Sequence, residues 1–284
     1  MFDNDFAALL PPKNVDTETN KEFQSGKKGL FVSQQVFGEC KVVCFSPRHD
    51  LTLPLMSEPD IVKVVHTWRS QYDELCKKKH INYVQVFENK GAMMGCSNPH
   101  PHSQIWSSSF VPREPSKEIE RFKEYHEHNE SCLMCDYVQE ECVKKERIIF
   151  ENTHFLAVVP YWALYPYEVL LSPKRHVEDI RSLSEEEMAH FAQILKVVTI
   201  KYDNLFKTSF PYSMGFHMSP TDGEDYSYYH MHLHFYPPLL RSATIKKHLV
   251  GFELLSEPQR DLTPEQAAQV LNKSSGTEHY KNQK

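Results

Sequence analysis

The sequence predicts an α+β fold of two tandem units, each a mostly antiparallel sheet packed with helices. Three observations predict it. The chain repeats itself: Cys44-Phe45-Ser46-Pro47-Arg48-His49 matches Leu170-Leu171-Ser172-Pro173-Lys174-Arg175-His176, with one extra residue in the second copy. In each copy an amphipathic helix opens eight residues after the histidine, at Ser57 and at Ser184. Each copy then ends on a short strand of clustered histidines, His100-Pro101-His102-Ser103-Gln104-Ile105-Trp106 and His230-Met231-His232-Leu233-His234-Phe235-Tyr236. The interval from the first histidine to that strand is 51 residues in one copy and 54 in the other, so the spacing is duplicated along with the motifs.

In chain order, Phe2-Asp3-Asn4-Asp5-Phe6 opens the first unit and resembles Phe150-Glu151-Asn152-Thr153-His154-Phe155, which opens the second. The polar stretch from Pro12 to Gly29 reads as a surface loop. Ser57-Glu58-Pro59-Asp60 starts the first helix as a capping box with Asp in the fourth place, and Ser184-Glu185-Glu186-Glu187 starts its counterpart. Ile61, Val64, Val65, Trp68, Tyr72 and Leu75 form the apolar stripe of one helix; Met188, Phe191, Leu195, Val198 and Tyr202 form that of the other. A boundary near Glu114-Pro115 divides the units, 1–115 and 116–284, and a charged helical segment follows over 116–130. Thr263-Pro264-Glu265-Gln266 caps a last short helix, and the polar tail after Lys273 reads as frayed.

Composition excludes several classes. Lys+Arg 32 against Asp+Glu 38 leaves no basic field for nucleic acid or an anionic membrane. No apolar run approaches the ~18 residues of a membrane span. Met1-Phe2-Asp3-Asn4-Asp5 has no basic region ahead of an apolar stretch, so no secretory signal is read and a cytoplasmic protein is expected. With 9 Gly and no Walker or G-x-G-x-x-G motif, phosphate would have to be held without a glycine-rich cradle. The odd number of cysteines, 7, argues for reduced thiols rather than a disulfide framework. Cys40, Cys44, Cys76 and Cys142 read as structural, and His66, His80, His126, His128, His190 and His279 as solvated.

The chemistry lies in the histidine strands. Residues two apart on a strand share a face, so His100, His102 and Gln104 point one way, as do His230, His232 and His234. Such a row suits either metal ligation or a phosphate held while one imidazole attacks phosphorus. Neutral imidazole, with an ordinary pKa of ~6.5, is available as a nucleophile at neutral pH.

Residues 230–236 fit the histidine-triad signature, so each unit is expected to be histidine-triad-like. The run from Val86 to Gln104 resembles the active-site segment of the galactose-1-phosphate uridylyltransferase family, and Tyr202-Asp203-Asn204-Leu205-Phe206, Phe210 to Gly215 and Phe235 to Thr244 are similar to it as well. That resemblance implies a ping-pong exchange of UMP between UDP-glucose and galactose 1-phosphate in a homodimer whose site is completed across the pair. By position His102 is the nucleophile and Gln104 holds phosphoryl oxygens; a neutral amide there cannot protonate a leaving group. Gly95, Cys96 and Ser97 would donate to phosphate. Asn4, Asp5, Asn89, Lys247, Val250, Phe252, Glu253 and Gln259 match substrate contacts, with Phe252 standing where the family usually has Tyr.

The resemblance also implies metals. Glu118, His217, His232 and His234 would hold iron or zinc (Fe²⁺ or Zn²⁺). A first zinc site would use His49 and His100 with a C-x-x-C that does not precede them here, so the chain reads as lacking the family's N-terminal segment, with an impaired first unit. Applying the repeat to the second unit puts Cys132, Cys135, His176 and His230 at the equivalent places, which predicts a second, structural zinc site. Two alternatives accompany this reading: a related ADP-sugar phosphorylase, and a catalytically impaired chain that retains only dimerisation or binding.

Overall fold

The structure is a computed structural model that describes residues 1–13, 22–96 and 98–283. Its strands in chain order are β1 Phe2–Asp3, β2 Glu22–Ser25, β3 Phe31–Gln34, β4 Gly38–Cys44, β5 Tyr83–Lys90, β6 His102–Ser108, β7 Ile148–Glu151, β8 Phe155–Val158, β9 Val169–Pro173, β10 Tyr212–His217 and β11 His232–Tyr236. The helices are α1 Glu58–Cys76, α2 Arg113–Asn129, α3 Leu133–Lys144, α4 Glu185–Leu205, α5 Phe252–Leu255 and α6 Pro264–Lys273.

The two copies form one sheet. Nine strands run in the order β1-β4-β6-β5-β10-β11-β9-β8-β7, every pairing antiparallel. From the central seam outward each half repeats the same series: β5, β6, β4, β1 on one side and β10, β11, β9, β8 on the other. The seam pairs Tyr212 with Lys90 and Gly215 with Phe87. Each half therefore covers the edge that the other would expose.

Every residue of both predicted stripes is buried: α1 presents Ile61, Val64, Val65, Trp68, Tyr72 and Leu75, and α4 presents Met188, Phe191, Leu195, Val198 and Tyr202. They pack on the same sheet face, against Val84, Val86, Ile105, Phe216, Leu233 and Phe235 in one continuous core. Trp68 fixes the register of α1, its Nε1–H donating to Ser103 Oγ at 2.8 Å inside that core. Strand alternation sends β8 and β9 to both faces. Phe155, Ala157, Val169 and Leu171 join this core, while Leu156, Val158 and Leu170 meet Phe122, Met134 and Val138 of α2 and α3 on the other face. His102 and Gln104, alternating with Ser103 and Ile105, and His232 and His234, alternating with Leu233 and Phe235, lie on this second face.

Local signals hold with some corrections. Ser184 and Glu187 make a reciprocal capping box, as do Thr263 and Gln266. At α1, Ser57 Oγ accepts from the Asp60 N–H, but Asp60 is too short to reach back to the cap backbone and takes the Ser57 hydroxyl proton instead. Part of the expected surface loop is a hairpin, β2 paired with β3, because Phe23-Gln24-Ser25 and Phe31-Val32-Ser33 have strand chemistry around a Gly26–Gly29 turn; residues 14–21 lie outside the described residues. The tail is tied down: His279 is 3% exposed, its Nε2 3.1 Å from Asp203 Oδ2, so it is not solvated as expected.

Candidate functional site

The first histidine strand forms one wall of a pocket of about 360 Å³ lined by residues that include Thr52, Asn89, Lys90, Cys96, His100, His102 and Ser209. At the start of β6, His102 Nδ1 lies 2.7 Å from the His100 carbonyl oxygen. A carbonyl only accepts, so Nδ1 carries the proton and Nε2 keeps its lone pair. Two residues on, Trp106 Nε1–H donates to Gln104 Oε1 at 3.0 Å. With its oxygen engaged, the Gln104 amide has its NH₂ group free to donate. Asn89 is oriented in the same way, because Ser213 Oγ donates to its Oδ1 at 2.6 Å across the central seam.

Beneath the pocket lies a charged group that sequence reasoning missed. Lys90 Nζ is 2.8 Å from Asp203 Oδ1, both side chains nearly fully buried, and Asp203 is also held by the Phe210 N–H and by His279. Glu88 is buried beside them and accepts the Tyr212 hydroxyl proton at 3.0 Å. Burial pushes the Glu88 carboxyl up to about 7, against the pull of Lys90 and the Tyr212 bond. One ammonium thus serves two carboxylates, and Glu88 is the one whose ionisation burial opposes. Only its parity with Val84 and Val86 on β5 marks Glu88 as core-facing.

Other expected donors lie elsewhere. Gly95, at φ +76 where a side chain would be strained, donates its N–H to Ala92 O, and the Cys96 N–H goes to Gly91 O; both are used within the turn rather than offered to the pocket. Ser97 lies outside the described residues. Asn4 closes its own turn, Oδ1 accepting from the Phe6 N–H, and Asp5 is exposed. Lys247, Glu253 and Gln259 gather together, Lys247 Nζ donating to Gln259 O at 2.9 Å with Glu253 at 4.0 Å, while Val250 and Phe252 are exposed. Of these substrate candidates only Asn89 and Cys96 are among the pocket's lining residues. His49 is exposed and His100 Nε2 is 2.8 Å from the Ser46 carbonyl oxygen; among the described residues neither joins a group of three or more metal donors.

The second histidine strand repeats the first and adds two donor clusters. His232 Nδ1 lies 2.9 Å from the His230 carbonyl, the bond His102 makes in the first copy. Here the free Nε2 faces Glu118, from α2, at 3.5 Å, with His217 Nδ1 at 2.8 Å and His234 Nε2 at 3.7 Å from the same carboxylate. Burial works against ionisation of Glu118, yet its close contacts with the His217 and His232 imidazoles hold it well below the usual carboxylate range. His234 Nε2 is buried with no hydrogen-bond partner, its Nδ1 meeting the Tyr236 hydroxyl. An orphaned imidazole nitrogen aimed at a carboxylate and two more imidazoles fits a metal ligand.

The other cluster is the predicted one. Cys132 caps α3, its sulfur accepting the Cys135 N–H at 3.3 Å, so the helix start draws both thiols together. His230 Nδ1 lies 3.6 Å from Cys132 Sγ and 3.4 Å from Cys135 Sγ, and His176 Nδ1 lies 3.5 Å from Cys135 Sγ. A tetrahedral zinc ion with ordinary bond lengths sets sulfur and nitrogen ~3.5 Å apart. The side-chain contact between the two thiols lowers the pKa of Cys132 and raises that of Cys135. His230 Nε2 lies 3.1 Å from the Pro173 carbonyl, which directs Nδ1 to the sulfurs.

Comparison with known proteins agrees with the geometry. Residues 1–112 match the galactose-1-phosphate uridyl transferase N-terminal domain and residues 118–284 its C-terminal domain. The chain belongs to the galactose-1-phosphate uridylyltransferase family. It is 50% identical over 281 residues to the galactose-1-phosphate uridylyltransferase of Haemophilus influenzae, covering 99% of this chain and 78% of that one. A solved uridylyltransferase superposes with TM-score 0.81 at 30% identity, covering 93% of this chain and 84% of the other. An ADP-glucose phosphorylase from Arabidopsis thaliana superposes with TM-score 0.75 at 28% identity, covering 84% and 73%. The expectation of a missing N-terminal segment gains no support, since both family domains are represented. No described helix is long and apolar enough to cross a membrane.

Proposed function

We propose that this nucleotidyltransferase carries UMP from UDP-glucose to galactose 1-phosphate through a uridylyl adduct on His102. The observation that carries the reading is the pair of orientations on β6: the His102 Nδ1–H held by a carbonyl and the Gln104 oxygen held by Trp106. Nε2 attacks the α-phosphorus of UDP-glucose; a P–N bond forms and the P–O bond to the β-phosphate breaks, releasing glucose 1-phosphate. Positive charge that develops on the imidazole strengthens its Nδ1–H bond to the His100 carbonyl. The Gln104 NH₂ and the Asn89 NH₂ donate to phosphoryl oxygens. A phosphate oxygen of galactose 1-phosphate then attacks the same phosphorus, the P–N bond breaks, and UDP-galactose leaves with His102 restored.

In this reading 1–115 and 116–284 are the two units, and two copies of the chain pair in the cytoplasm. Lys247, Val250, Phe252, Glu253 and Gln259 approach substrate from the second copy, which accounts for their not lining the pocket and for the exposed apolar side chains of Phe252, Leu254 and Leu255. Zn²⁺ at Cys132, Cys135, His176 and His230 would tie the start of the second unit to its central strand. Fe²⁺ or Zn²⁺ at Glu118, His217, His232 and His234 would hold α2 on the sheet. His49 and His100 are read as ligands of a first zinc site.

The test is incubation with UDP-glucose labelled at the α-phosphate. An acid-labile, base-stable adduct is expected, and His102→Asn abolishes it. Equal labelling in that variant would move the nucleophile elsewhere, with His232 next. Labelling by ADP-glucose in preference to UDP-glucose would favour the phosphorylase reading.

A further inference from the structure

A third group of metal donors lies away from both clusters described above, where the turn between β7 and β8 meets the first turns of α4. His154, Glu186 and His190 bring one donor atom each to within 4.8 Å of one another. His154 Nε2 is buried with no hydrogen-bond partner and stands 3.3 Å from Glu186 Oε1. The two imidazole rings meet edge to face, with centroids 4.7 Å apart. His190 Nδ1 lies 3.0 Å from the Glu186 main-chain oxygen, one helical turn back, so the proton sits on Nδ1 and Nε2 keeps its lone pair.

The surroundings fix this geometry in advance. Asn152 accepts the His154 and Phe155 N–H groups on Oδ1, while its NH₂ donates to the His190 carbonyl and to Gln193 Oε1. The His154 carbonyl accepts the Lys174 N–H at 2.7 Å. The turn is thus bolted to both α4 and the end of β9 before any ion arrives. Glu186 and His190 sit at i and i+4 and share a helix face. The cationic neighbour Lys174 is neutralised by Glu151 at 2.7 Å.

We propose that His154, Glu186 and His190 form a surface site for a divalent transition-metal ion of the zinc class, bound by two imidazoles and one carboxylate with water completing the shell. Borderline nitrogen and oxygen donors select such an ion over Mg²⁺ or Ca²⁺. The site is solvent-accessible through Glu186, so its ion exchanges readily. Its effect is to staple the β7–β8 turn to α4.

The test uses full-length protein carrying its tightly held metals, titrated with ZnCl₂ by calorimetry and by thermal unfolding. Wild type is expected to bind one additional zinc and to gain melting temperature as zinc is added. His190→Ala and Glu186→Gln are each expected to lose that equivalent and the zinc-dependent gain, while uridylyl transfer at low zinc stays at the wild-type rate. Cys135→Ser, which affects a different cluster, should retain it. No additional equivalent in wild type, or an equivalent that persists in both His190→Ala and Glu186→Gln, would overturn the proposal.

Discussion

Replacing Glu88 by Gln tests the buried charge balance beneath the pocket. Glu88 is 2% exposed, and its carboxyl is pushed from the ordinary 4.5 to about 7 by burial. Between those two values the folded protein binds a proton that the unfolded chain has released. Stability therefore falls as pH rises across that window and levels off above it. At about 1.36 kcal/mol per pH unit the displacement amounts to ~3 kcal/mol. Gln is the neutral isostere of the protonated acid and still accepts the Tyr212 hydroxyl proton, so Glu88→Gln removes this loss without leaving a cavity. Denaturant unfolding of both proteins from pH 5 to pH 8 gives the difference curve, from which groups common to both cancel. The variant is expected to be close to wild type at the acid end and more stable by up to ~3 kcal/mol at pH 8. A flat difference curve, or a variant less stable than wild type at pH 8, would show that Lys90 keeps Glu88 ionised and that the balance has been assigned to the wrong carboxylate.

Trp106→Phe keeps the edge-to-face contact with Phe87 and removes the hydrogen bond to Gln104. The amide then rotates freely, and kcat/KM for UDP-glucose is expected to fall by about fivefold, the equivalent of one ~1 kcal/mol hydrogen bond; an unchanged value would remove Trp106 as the orienting group. Cys135→Ser should lower bound zinc by one equivalent and the melting temperature by ~5–10 °C, taking ~2–3 kcal/mol of lost stability. Residual uridylyl labelling of His102 in the folded fraction is expected to survive, and unchanged zinc content by metal analysis would contradict the second zinc site.

Much of the molecule was legible before folding because it is encoded in short-range periods. The stripes of α1 and α4 follow the helical repeat, and all their members are buried as read. The alternation along β6 and β11 put His102 with Gln104 and His232 with His234 on one face each. The duplication carried furthest: transferring the ligand pattern that the family resemblance implies for the first copy pointed to Cys132, Cys135, His176 and His230, which lie together across 98 residues of chain, though no local signal links Cys132 to His230. Tertiary structure alone decided the rest. The β5–β10 seam, which fuses the copies into one sheet, depends on which edges meet, and strand chemistry does not specify a partner. Glu88, Lys90, Asp203 and His279 read as polar residues on a strand, a helix and a tail; burial and mutual charge made them one network, and those forces act only once distant segments are packed. His190 looked solvated for the same reason: an exposed helix position and a turn residue, His154, become a donor cluster only when the turn is laid against the helix.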